Sequence, residues 1–163
     1  MPSVAIPLPE FDQEMKVTRR LLERVPTDKG TWKPHNKSFP LAHLAQLVAR
    51  MPGWITTCLR ETEINLARGA GYSFEATETL LQEFDKHVVH ARAALDAVTG
   101  DALLVPWFLK HGDTVLMSMP RAEVVRQTLS HLVHHRGQLT VYLRLLDVPI
   151  PSIYGPTADE KWG

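Results

Sequence analysis

Two histidines set four residues apart, His131 and His135, stand in the run Ser130-His131-Leu132-Val133-His134-His135-Arg136-Gly137-Gln138-Leu139. On a helix such a pair is one turn apart and separated by about 40° around the axis, so both imidazoles can reach one ion or one polar ligand. His134 projects about 60° away from His131 on the other side. Val125, Leu129, Leu132, Leu139, Leu143 and Leu146 form the apolar stripe of this helix, which places His131 and His135 at the margin of its core-facing surface. Gln138 and Tyr142 continue the same polar margin. A row of this kind can line a polar pocket or hold a metal inside a helix bundle. The plainer reading is a hydrogen-bonded structural imidazole, and spacing alone does not separate the two. Two metal motifs are excluded. HExxH needs Glu where Leu132 stands, and no histidine has a Glu three residues before it, as the di-iron bundles require.

Other residues could support chemistry less directly. Glu61, Glu63 and Asp85 could act as a general base or a replacement ligand, and Arg121, Arg136 and Arg144 could bind an anion, although solvated helix faces usually carry such charges. His87 and His90 are i, i+3 neighbours beside Lys86 and read most simply as surface residues; His111 falls in a turn. Cys58 reads as a small buried hydrophobe. Trp54 and Trp107 read as core or interface aromatics.

The elements that must position these groups follow from the rest of the chain. It has 163 residues, 18 Lys+Arg against 18 Asp+Glu, 44% apolar residues, eight histidines and one cysteine. Its length fits one domain spanning residues 1–163. The charge balance gives no electrostatic footprint for nucleic acid or an acidic membrane. A lone cysteine allows no internal disulfide and no CxxC metal site, which fits a reducing compartment. Met1-Pro2-Ser3-Val4-Ala5-Ile6-Pro7 lacks a basic start and a long apolar core, and no stretch approaches about 18 uninterrupted apolar residues, so a cytoplasmic protein is expected.

Periodicity predicts four helices. The first covers about 10–24, with Phe11, Met15, Val17, Thr18, Leu21 and Leu22 on one face. Ser38 can cap a second helix reaching about Leu66, with a kink expected at Met51-Pro52-Gly53. Ser73 can cap a third, with Glu75 and Glu78 in its first turn and Gly100 closing it. Residues 103–120 read as a short hairpin or irregular crossover, and the fourth helix runs from Pro120 or Arg121 to about Leu146. The proline-rich tail after it is irregular. The expected fold is all-α, a four-helix bundle with a hairpin or crossover before the last helix.

Residues 120–144, followed by Val148-Pro149-Ile150-Pro151 and Tyr154-Gly155-Pro156-Thr157-Ala158-Asp159-Glu160, resemble the DinB-like (YfiT-like) metal-binding four-helix-bundle family, which is distinct from the DNA polymerase sharing that name. Trp32-Lys33-Pro34-His35-Asn36-Lys37-Ser38 and residues 41–54 carry the likeness through most of the chain. The resemblance implies a homodimeric bundle holding a divalent metal, zinc or nickel, on three histidines. It also implies relatives that include thiol-dependent transferases and isomerases beside members of unknown activity. His131 and His135 match the family's pair on the last helix, but Leu47 stands where a histidine of the second helix is expected. His43, one turn before Leu47, is the residue that could reach in instead.

Two functions follow. One is a metal-dependent enzyme of hydrolase or thiol-dependent transferase class, its ion on His131, His135 and His43 or a carboxylate, activating water or a thiol. The other is a bundle with an incomplete centre, its metal weakly bound or absent, acting as a small-ligand-binding or dimeric interaction protein. A small molecule and a second copy of the chain are the partners expected under both; nucleic acid and membrane are not.

Overall fold

The computed structural model describes residues 7–69, 71–73 and 76–161. Helix α1 spans Leu8–Leu22 and buries the six residues that its spacing predicts, together with the unexpected Glu14. Helix α2 spans Leu41–Arg60. Pro40, not Ser38, holds its cap position, where a fixed φ of −59° leads into the first turn. Pro52 lies inside the helix without ending it.

The second helix is shorter than its periodicity predicts. Backbone at Glu61 turns extended, and Glu63–Asn65 form β1 instead of another helical turn. This strand is hydrogen-bonded parallel to β2, Pro106–His111, which pairs antiparallel with β3, Thr114–Pro120. A hairpin therefore does precede the last helix, and β1 adds a third strand to it. Gly112 turns the hairpin at φ +59°, a left-handed conformation that favours glycine.

Helix α3 spans Thr77–Ala97, with Glu78 in its first turn and Ala76 at the cap. Ser73 lies before it and donates its backbone N–H to Gln46 Oε1 at 2.9 Å, tying the incoming loop to α2. Glu75 lies outside the described residues. Gly100 does not close α3; it begins a separate short helix α4, Gly100–Leu104, capped by the Thr99 side chain. Helix α5 spans Arg121–Leu145.

Helix α2 is the centre of the bundle, packed chiefly between α3 and α5, while α1 lies mainly against α3. Leu44, Val48, Met51 and Ile55 of α2 meet Phe84 of α3 and Leu132, Leu139 and Leu143 of α5 in one contiguous core. Closeness between α2 and α3 depends on Gly53, because a Cβ there would stand 2.6 Å from the His87 ring. His87 is thus half-buried at a helix contact, not a simple surface residue. Among the described residues no helix is long and apolar enough to cross a membrane.

Candidate functional site

The sheet and the bundle do not close completely on each other. Period-two side chains put Trp107 and Leu109 on one face of β2, and the register aligns Leu109 with Ile64 on one side and Met117 on the other. This apolar row faces Trp54 of α2 and Val124 of α5 across a cavity of about 670 Å³. Its polar edge comes entirely from α5, through Gln127, Thr128, Ser130, His131 and His134. The volume lies within the usual range for small-molecule sites, and a mostly apolar wall with a few polar groups at one edge is their common composition. Trp107 is buried in the wall, and its indole N–H has no hydrogen-bond partner among the described residues.

His131 and His135 come together as their spacing predicts. Their Nε2 atoms are 2.9 Å apart, a direct hydrogen bond between the rings, and His135 Nδ1 is 2.7 Å from Gln138 Oε1. His131 packs near Trp54, with ring centroids 5.9 Å apart, and His134 meets the His135 ring edge-on at 4.9 Å. Burial, followed by the neighbouring His135 and His134, pushes His131 below the ordinary imidazole value, so the neutral ring is favoured at pH 7. On the far side of the pair, His135, Gln138 and Tyr142 border a second, more open depression of about 400 Å³ with Lys37 and Phe39.

The third position is apolar. Helices α2 and α5 run antiparallel, with Trp54 beside His131 at one level and the Phe39 carbonyl accepting from Tyr142 Oη at another. Leu47 therefore lies level with the turn from His135 to Gln138 and is only 6% exposed. His43 does not replace it. Its ring is stacked between Phe39 at 4.2 Å and Tyr72 at 3.8 Å. Among the described residues no three His, Cys, Asp or Glu side chains group closely enough to hold a metal ion. The residues present do not fit a three-histidine centre.

Most of the remaining candidates are committed elsewhere. Asp85 pairs with Arg19 and Glu63 with Lys110. Arg121 donates to the carbonyls of Leu59 and Glu61, and Arg144 pairs with Asp159. Cys58 is buried, and desolvation pushes its thiol up to about 12, which removes it as a nucleophile at neutral pH. Arg136 is 1% exposed and pairs with Glu14 at 2.6 Å. Its guanidinium also donates to Thr18 Oγ1 at 3.0 Å and to Tyr154 Oη at 2.6 Å, and Tyr154 in turn donates to Glu14. An anion-binding role for Arg136 is excluded by that enclosure. Charge and helical angle gave no signal of it, because its partners come from α1 and the tail.

The chain forms a bundle of four long helices with a hairpin packed beside the last. Two solved structures share it: a DinB-like protein (YjoA) from Bacillus subtilis, with a TM-score of 0.68, 18% identity and coverage of 86% of this chain and 91% of that one; and a DinB-like protein from Bacillus cereus ATCC 10987, with a TM-score of 0.69, 19% identity and coverage of 90% and 95%. The sequence profile of the DinB family matches residues 7–162, and the chain belongs to that family. A stretch of 44 residues is 43% identical to the uncharacterized protein YrdA of Bacillus subtilis (strain 168), covering 27% of this chain. That match spans about a quarter of YrdA, 26% of its length.

Proposed function

We propose that this protein is a DinB-family bundle whose three-histidine metal centre is incomplete, and that it binds a small, mainly apolar organic molecule in the cavity between α2, α5 and the sheet. The observation that carries this reading is the side-chain environment of the third ligand position: Leu47 is buried there, and His43 is held in an aromatic stack away from the pair. Two imidazoles alone make a weak, unselective metal site. The cavity beside them keeps the size and wall chemistry of a ligand site. The inert Cys58 thiol also gives no internal nucleophile for thiol chemistry.

Titration with the fluorescent apolar probe N-phenyl-1-naphthylamine tests the reading. Saturable binding at one site per chain is expected, with quenching of Trp54 and Trp107. Met117→Trp, which fills the cavity from β3, should weaken the probe about tenfold or more, equivalent to about 1.4 kcal/mol. Equal binding by wild type and Met117→Trp overturns the cavity assignment. Tight stoichiometric zinc or nickel in untagged protein, lost in His131→Ala, would restore the metalloenzyme reading.

A further inference from the structure

The hydrogen-bond chain His131–His135–Gln138 has a direction. Gln138 presents Oε1, which only accepts, so His135 must carry its proton on Nδ1. A neutral His135 then offers a lone pair at Nε2. His131 must donate to it from its own Nε2, 2.9 Å away, which leaves a lone pair on His131 Nδ1. No hydrogen bond among the described residues uses that nitrogen. His131 is also the member of the chain that borders the 670 Å³ cavity, whereas His135 and Gln138 border the depression on the other side. Gln138 thus fixes, through two rings, which nitrogen of His131 is left as an acceptor. Thr128 offers the cavity no donor, because its hydroxyl already donates to the Val124 carbonyl at 2.8 Å.

We infer that the cavity selects apolar molecules carrying a hydrogen-bond donor, such as a phenol or alcohol, whose O–H is received by His131 Nδ1. This rests on the proposed ligand-binding function and specifies its ligand class. It assigns the pair a metal-free recognition role: His131 contacts the ligand, while His135 and Gln138 are positioning residues that set its tautomer. Nothing in the chain of bonds requires a charge to move.

The test is displacement of N-phenyl-1-naphthylamine by naphthalene, 2-naphthol and 2-methoxynaphthalene, with a chelator present so that stray ions cannot occupy the ring nitrogens. All three should displace the probe, and 2-naphthol, the one with a donor, should bind about fivefold tighter than its methyl ether, as one net neutral hydrogen bond allows. Gln138→Leu should abolish that preference while leaving naphthalene unchanged. Nitrogen-15 spectra of wild type should show His135 protonated at Nδ1 and His131 at Nε2. Equal affinity of 2-naphthol and its ether overturns the donor selectivity and leaves the cavity reading intact. Failure of all three compounds removes both. An unprotonated Nδ1 on His135 reverses the direction of the chain and overturns the inference, even if the cavity binds naphthalene.

Discussion

Neighbouring residues on α5, His135 and Arg136, point into opposite worlds. Arg136 faces α1 and the C-terminal tail, where its Nη1 and Nη2 atoms meet oxygens of Glu14, Thr18 and Tyr154. His135 borders an open depression, and among the described residues its ring nitrogens bond only His131 and the exposed Gln138. One side of the helix is a closed polar network, which fixes structure. The other carries polar atoms left available beside a cavity, which suits a site. In the same turn of sequence, the buried charge is enclosed by the fold, and the more accessible imidazoles are the ones on which the proposed recognition rests.

The largest expected break comes on the closed side. Arg136→Ala leaves the Glu14 carboxylate buried without its cation, and stability should fall by about 3–5 kcal/mol in urea denaturation. Replacing both charges, Arg136→Met with Glu14→Gln, should recover most of that loss, because no unpaired charge remains. If the single and double variants lose the same amount, the cost lies in packing and the network is not what fixes this face.

On the open side the comparison sharpens through a gain. Leu47→His places a third imidazole level with His135. Without metal it should be less stable than wild type, because a buried leucine contributing about 1.5–3 kcal/mol is exchanged for a polar ring. Zinc should then bind about a hundredfold tighter than to wild type, equivalent to about 2.7 kcal/mol, measured by competition with a chromogenic chelator. No gain in affinity would show that Leu47 is not the missing ligand position.

How much of this was legible in the sequence divides along the same line. The His131–His135 pair and its extension by Gln138 were readable, because contacts within one helix follow from 3.6 residues per turn. The closed network was not. Glu14, Arg136 and Tyr154 are far apart in the chain, and a charged residue carries no local mark that its partner is buried with it. Helix α2 was overextended to Leu66 because Ile55, Cys58 and Leu59 keep helical spacing to its end, while β1 is a three-residue strand whose existence depends on pairing with β2, over forty residues later. His43 was within angular reach of the pair, but its stacking on Tyr72 depends on a loop that only the folded chain brings near. The cavity had the same origin: Trp54 and Trp107 read as core or interface aromatics, and Trp107 is buried while Trp54 is partly buried, but the gap between them arises from how the sheet docks.

A smaller effect tests the tail's part in the closed side. Tyr154→Phe removes the hydroxyl that links Arg136 to Glu14 and keeps the ring over the guanidinium, 5.2 Å from its centre. A loss of about 1 kcal/mol is expected by urea denaturation, since the Arg136–Glu14 pair itself remains. A loss as large as that of Arg136→Ala would mean that the tail, and not the ion pair, organises the network.

The smallest effect separates the two sides by pH. Burial holds His131 and His87 below the ordinary imidazole value near 6.5, so the unfolded chain takes up protons where the folded one does not, and stability should fall as pH drops through about 6.5. In the tail, the Arg144 hydrogen bond and the Ile150 N–H hold Asp159 low, and the Arg20 hydrogen bond does the same for Glu160. A carboxylate with a depressed folded value adds stability above the ordinary carboxylate range and loses it as pH falls through about 4. Urea midpoints measured from pH 8 to pH 3 should therefore decline in two stages. His131→Asn combined with His87→Asn should shrink the upper stage alone, leaving the share of His43, which burial also holds low, and Asp159→Asn should shrink the lower stage alone, leaving the share of Glu160. These groups are partly or fully exposed, so both steps should be shallow. If Asp159→Asn alters the upper stage, the tail and the histidine face are coupled, and the division of α5 into a closed side and an open side fails.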